Sequence, residues 1–212
     1  MATFLRPLSY RYQWIYDTIS RLAALTVGGE TRFRNLAIQG IIGNKEVKVL
    51  DLCCGAGQTT QFLSKYFDHI TGLDLSPLAI ERAKKKVPQA NYVVSPAEKM
   101  KLSDSEFDIV HTSAALHEMT QTQLQDIFKE IYRVLKPGGI FTFIDLHQPK
   151  NPLFVPFLYT FMYLFETETA WNMIKTDLSQ KITETGFIIL KQELHAGGSL
   201  QMIQSQKPKL KL

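Results

Sequence analysis

Residues 47–74, VKVLDLCCGAGQTTQFLSKYFDHITGLD, constrain this chain more than any other stretch. They open on Val47-Lys48-Val49-Leu50, a short β-branched apolar run of the kind that forms a buried parallel strand. The run passes into Asp51-Leu52-Cys53-Cys54-Gly55-Ala56-Gly57, a tight turn whose two glycines let a ligand approach the backbone closely. Residues 58–67 read as a helix whose first amides suit a carboxylate or phosphate. A second strand over 69–75 carries Asp74, which follows Gly57 by 17 residues. Nucleotide folds place the acid that grips a ribose diol roughly 20 residues beyond the glycine loop.

Two cofactor classes share that frame, and the details separate them. A dinucleotide fingerprint, G-x-G-x-x-G, needs a third glycine for close helix–strand packing, and here that position is Thr60. Asp51, four residues before Gly55, would repel a pyrophosphate but suits a cationic ligand such as the sulfonium or ammonium of S-adenosylmethionine. Val-Leu-Asp-Leu-Cys-Cys-Gly-Ala-Gly followed by Gly-Leu-Asp-Leu-Ser resembles the class I S-adenosylmethionine-dependent methyltransferases. Leu-Lys-Pro-Gly-Gly at 135–139, ahead of a strand, recurs in the same class.

The resemblance implies a cofactor site made of Asp51, Cys53, Gly55, Gly57, Asp74, Leu75, Pro96, Ala97 and Ser113. Asp51 would face the positive end of the ligand, Gly55 and Gly57 would admit it close to the backbone, and Asp74 would accept both ribose hydroxyls. Pro96 stands where the family usually has an acid for the adenine amine, so that contact is missing, while Ala97 still offers an N–H. Cys53 occupies the place of a first glycine, and Asp-Leu-Cys-Cys-Gly resembles the quinone methyltransferases. Tyr16-Asp17, Gly29 and Arg32-Phe33-Arg34 loosely resemble the N-terminal extension of the ubiquinone/menaquinone C-methyltransferases.

With 212 residues the chain is long enough for one domain with a sizeable core, and 45% hydrophobic with 21% charged residues is ordinary for a globular protein. A net charge of +4, partly in the tail Lys207-Pro208-Lys209-Leu210-Lys211, comes without the aromatic-interleaved basic stripe of a nucleic-acid binder. The two cysteines are adjacent and have no other cysteine to pair with, which points to a reducing, cytoplasmic setting. No His or Cys spacing suggests zinc, and the N-terminus lacks the apolar core of a signal peptide.

Residues 10–27 carry Trp14, Ile15, Ile19 and Leu22 at helical spacing up to Gly28-Gly29, and a second helix is expected over 31–42. Both precede the first strand, so residues 1–44 form an extension that either covers a sheet edge or caps the ligands. Ser76-Pro77 starts a helix, serine as cap and proline at its first position. Strands follow at 91–94, 107–113 and 140–146, with a helix over 121–135 and a turn at 136–139. Residues 152–165, PLFVPFLYTFMYLF, are too few to span a bilayer, which takes ~20 residues in helix. They read either as a buried connecting helix or as an apolar lid for a hydrophobic substrate or a membrane interface. A helix over 168–185 and a hairpin, 187–194 with 200–206, complete the chain.

The expected fold is α/β: a Rossmann-like, seven-stranded, mostly parallel sheet with an antiparallel final strand, helices on both faces, and a helical N-terminal extension. Within one domain, residues 45–146 bind the cofactor, residues 147–206 serve the substrate side, and 207–212 are a tail. Methyl transfer from a sulfonium needs mainly a held donor and an aimed acceptor. The expected acceptor is a small apolar molecule such as a prenylated quinol, with O- or N-methylation of another metabolite, or a non-catalytic adenosyl-binding module, as alternatives. Carbon methylation of a quinol gains from a base, and His117 and His147 are the candidates, following the fourth and fifth strands. His111, inside the fourth strand, reads as a core residue, and Tyr16 or Asp17 can border the pocket. Peripheral membrane contact through 152–165 accompanies the lid reading, and no feature sets an oligomeric state.

Overall fold

The computed structural model describes residues 24–41 and 46–209. Most of the helix expected over 10–27, with Tyr16 and Asp17, lies outside them. The second expected helix is α1, Glu30–Ile38, which ends before Gly40, whose φ of +81° suits glycine.

The nucleotide-type core begins with β1, Lys48–Leu52, and the loop to α2, Gln58–Leu63. Then come β2, His69–Asp74, α3, Pro77–Lys86, and β3, Asn91–Val94. Strand β4, Phe107–Ser113, leads through a 3-10 turn, Leu116–Glu118, to α4, Gln121–Val134. β5, Leu135–Leu146, follows α4 directly. Helices α5, Val155–Phe165, α6, Glu168–Met173, and α7, Leu178–Glu184, precede the closing strands β6, Ile188–His195, and β7, Leu200–Gln206.

The seven strands lie in the order β3-β2-β1-β4-β5-β7-β6. β1 pairs in parallel with both β2 and β4, and β7 runs antiparallel to β5 and β6. The crossover direction reverses between β1 and β4, so the carboxyl ends of those strands open the crevice where such sheets bind ligands.

Alternation along the central strands sorts the core. Leu50 and Leu52 of β1 and Val110 of β4 pack with Leu124, Ile127, Phe128 and Ile131 of α4. Val49 and Ile109 face the other way, toward Ile38, Phe62 and Leu63. Asp51 and His111, two residues on from Val49 and Ile109, share that second face and sit opposite each other in the ladder. Helix α1 is fastened over the sheet by the hydroxyl of Thr142 and the amide of Gln204, both donating to the carbonyl of Ala37.

The expected punctuation holds at several points. Ser76 accepts from the N–H of Ala79 with Pro77 at the first position of α3, and Thr120 with Gln123 forms a reciprocal cap on α4. The turn expected at 136–139 is absorbed into β5 as an irregularity. Register there jumps from Phe107↔Leu135 to Ile109↔Ile140. The single helix expected over 168–185 is two, because Asp177 accepts from the N–H of Gln180 and so restarts the chain as α7. The apolar segment is half core, half surface: Leu158 and Met162 are buried, while Leu153, Phe157 and Tyr163 are exposed. Among the described residues no helix is long and apolar enough to cross a membrane.

Candidate functional site

At the carboxyl end of β1 the chain turns through Cys53, whose φ is +58°, the left-handed region that a glycine takes without strain. The loop is stitched to β2: Cys54 N–H donates to Leu73 O (3.0 Å), and Gly55 N–H to Asp74 Oδ2 (2.9 Å). The other oxygen, Oδ1, accepts from Ser76 N–H at 2.9 Å. Asp74 is therefore oriented by two backbone donors, and each carboxylate oxygen keeps acceptor capacity for a further partner.

The two glycines of the loop do different work. A Cβ at Gly55 would meet nothing within 4 Å, so the space above it is open. A Cβ at Gly57 would lie 3.0 Å from both Cα and Cβ of Ala83 in α3. Gly57 thus also lets α3 pack against the loop.

Asp51 points under the loop. Its Oδ2 accepts from the Thr60 hydroxyl at 2.6 Å, and Oδ1 lies 3.5 Å from His111 Nδ1, both residues being buried. Thr60, where a dinucleotide fold has its third glycine, instead fills the α2–β1 contact and pins this acid.

Four carboxylates surround the loop. Burial first, then the charges of Asp74, Glu118, Asp51 and Glu98, push the Cys53 thiol up out of its ordinary range. Glu98 is tied to the first turn of α4 through Gln123 (3.4 Å). Such a negative enclosure disfavours a pyrophosphate and matches a sulfonium and an ammonium. Leu75, beside Asp74, is 68% exposed and presents an apolar face. Pro96 is half-buried, Ala97 is packed into the core, and Ser113 closes β4 just before Ala114 turns left-handed at φ +50°. The oriented carboxylate of Asp74, the exposed Leu75 and the open space over Gly55 have the chemistry and the room that an adenosyl sulfonium requires.

The histidines fall into different settings. His117 is buried, its Nδ1 donating to Asp145 Oδ1 at 2.6 Å and its Nε2 lying 3.4 Å from Glu166 Oε2. Burial by itself would lower its pKa; the hydrogen-bonded Asp145, with Glu166 and Glu118, outweighs this and raises it to about 9. His117 is thus an imidazolium at neutral pH. His147, half-buried, donates from Nδ1 to Gly198 O (2.9 Å), an arrangement that leaves Nε2 as the acceptor of the neutral ring. It lines a cavity of about 360 Å³ with Lys150, Lys175, Gln192 and Gln201.

Asp145 escaped sequence reasoning. It lies next to the last residue of β5, is buried, and accepts from the N–H groups of Ala115 (3.1 Å), Leu116 (2.7 Å) and Leu146 (2.7 Å) as well as from His117. A signal was present, since Asp51 and Asp74 hold the same end of their strands. Glu166, just past α5, was hidden because nothing local links it to residue 117. Arg34, of the Arg32-Phe33-Arg34 stretch that carries the resemblance of the N-terminal extension, donates to the Thr59 hydroxyl in the first turn of α2, bringing α1 up to the loop.

A methyltransferase domain family model matches residues 49–139, the stretch from β1 to the start of β5's regular pairing. An uncharacterized methyltransferase of Synechocystis is 53% identical over 209 residues, 99% of each chain. The demethylmenaquinone methyltransferase of Chlorobaculum parvum is 33% identical over 141 residues, which are 65% of this chain and 58% of that protein. Among solved structures, a TehB-like SAM-dependent methyltransferase from Corynebacterium glutamicum superposes with a TM-score of 0.67 at 17% identity, covering 95% of this chain and 98% of its own. SAM-dependent methyltransferases from Methanosarcina mazei give 0.61 at 22% identity, covering 81% and 97%. With a near full-length relative of that kind, the sheet order of the fold and a loop enclosed by acids, the chain belongs to the class I S-adenosylmethionine-dependent methyltransferases.

Proposed function

We propose that the protein methylates a small, apolar acceptor, with a prenylated quinol as the leading class. The observation that carries this is the placement of α5: its carboxyl end meets the site through Glu166 at His117, while Phe157 and Tyr163 stay open to solvent. An apolar wall at the acceptor side suits a hydrophobic chain. The menaquinone-precursor relative named above supports the same acceptor class.

Bound S-adenosylmethionine supplies an electrophilic methyl group on a sulfonium. In this reading Asp74 accepts the ribose hydroxyls, Leu75 and the Ala97 backbone border the adenine, and the acids around Cys53 favour the cationic end. Asp51 acts from beneath the loop, as part of that charge. His117, already protonated, cannot take the quinol proton. His147 takes it at Nε2, leaving the ring carbon beside the resulting oxyanion as the nucleophile. A second reading, O- or N-methylation of a polar metabolite, is favoured by the polar cavity at His147, with Lys150, Gln192 and Gln201.

Labelled methyl transfer to a reduced short-chain naphthoquinol and to polar catechol and amine acceptors tests both readings. Product from the quinol, lost roughly tenfold or more in Phe157→Glu with cofactor affinity unchanged, is expected. Turnover of the polar acceptors alone would replace the quinol reading with the second.

A further inference from the structure

The string Asp145–His117–Glu166 joins three parts of the chain that no local interaction connects. Asp145 is the penultimate residue of β5, His117 lies in the turn after β4, and Glu166 follows α5. All three side chains are no more than 10% exposed. The hydrogen bond at one nitrogen and the ion pair at the other, 2.6 and 3.4 Å, place the two carboxylates on opposite edges of one ring. Asp145 is itself immobilised by three backbone N–H donors, so it is the fixed end of the string. The movable end is the helix: Leu158 and Met162 are its only buried residues, Tyr159 and Phe161 pack in part against the same small cluster, and Phe157 and Tyr163 are exposed, so α5 is held by a satellite of the core rather than by the core itself.

We propose that Asp145, His117 and Glu166 form a latch that holds the apolar helix α5 closed against the acceptor side of the site, making Asp145 and Glu166 positioning residues for methyl transfer. The assignment of α5 to the acceptor side rests on the proposed function; the latch itself does not. Its cation is required because a neutral ring can donate at one nitrogen only, and would leave Glu166 facing a lone pair. The groups that bear on the ring are Asp145 from β5, Glu166 from the α5–α6 junction and Glu118 from its own turn. Helix α6, packed on that turn, adds Glu168, which is exposed. All are acids, so every charge near the ring favours the closed, protonated form, and loss of the proton at alkaline pH opens it.

Hydrogen exchange of the full-length protein with bound S-adenosylhomocysteine reads the latch without any acceptor. Glu166→Gln keeps the side chain's size and removes its charge. At pH 7 this variant is expected to exchange its 155–165 amides about tenfold faster than wild type, with unchanged protection in β1 and β4. Wild type should show the same local acceleration above about pH 9, after correction for intrinsic rates, and the His117 ring should titrate at lower pH in Glu166→Gln. Equal exchange of 155–165 in the two proteins, or an unmoved His117 titration, would overturn the latch. Should Glu166→Gln fail to fold, the wild-type pH series alone decides. Failure of the quinol reading would appear as absent quinol turnover with these exchange differences intact. With a turned-over acceptor in hand, Glu166→Gln should raise its KM several-fold more than it lowers kcat.

Discussion

Replacing the two loop glycines separately by alanine distinguishes their roles. Both have positive φ, +53° at Gly55 and +82° at Gly57, so each alanine pays about 1–2 kcal/mol for a left-handed conformation. There the similarity ends. At Gly55 the new methyl meets no protein atom within 4 Å and enters the space over the loop. At Gly57 it comes to 3.0 Å of Ala83 Cα and Cβ, backbone and side chain of a packed helix, adding ~1–3 kcal/mol of overpacking. For a chain of this size 1 kcal/mol is worth roughly 2–4 °C in Tm. Gly55→Ala should therefore melt roughly 5 °C below wild type and Gly57→Ala roughly 10 °C below. Calorimetric titration with S-adenosylmethionine should rank them oppositely, Gly55→Ala losing at least about tenfold in affinity and Gly57→Ala less. A Gly57→Ala protein that melts like wild type yet cannot bind the cofactor would refute the packing argument and return Gly57 to the ligand.

Two further outcomes follow from side-chain geometry. Asp74→Ala removes the acceptor for Gly55 and Ser76 N–H as well as for the ribose; hydrogen bonds to a charged group contribute about 1.5–3 kcal/mol each, so titration should show at least about tenfold weaker S-adenosylmethionine binding, and an unchanged Kd would exclude the acid from the site. The folded state holds the His117 proton more tightly than the unfolded chain, with a pKa of about 9 against ~6.5. Its contribution, on the order of 3 kcal/mol, is therefore fully present below about pH 6.5 and is lost as pH rises through 9. Melting curves from pH 6 to 10 should fall more steeply for wild type than for His117→Asn; parallel slopes would mean that another group titrates.

Elements set by short-range chemistry were legible in the chain. The strand–loop–helix that begins at Val47, the Ser76-Pro77 start of α3 and the final hairpin each depend on a few consecutive residues and are present, although the helix expected over 58–67 ends at Leu63. Where a local signal had two outcomes the reading slipped. Asp177 can sit on the surface of a long helix or cap a new one, and the helix over 168–185 breaks there. Lys136-Pro137-Gly138-Gly139 can turn or bulge, and it bulges because β5 must pair with β4 on both sides of it. The apolar run at 152–165 is both buried and exposed, since its α-helical period buries only Leu158 and Met162, with Tyr159 and Phe161 partly covered beside them.

The sequence by itself determined the type of sheet and the acid-bearing loop, because period, turn residues and the Gly57–Asp74 spacing act along the chain, and its resemblance to the class I methyltransferases implied the adenosyl cofactor. Tertiary structure alone decided what the side chains do. Asp51 binds Thr60 because α2 docks on β1, and it faces His111 because β1 and β4 are neighbours in the sheet, 60 residues apart in sequence at that pair. His117 becomes a cation because β5 and the end of α5 bring Asp145 and Glu166 to its two nitrogens from 28 and 49 residues away. A proton's affinity depends on charges through space, and the distance that sets it is fixed only when the strands are ordered and the helices docked.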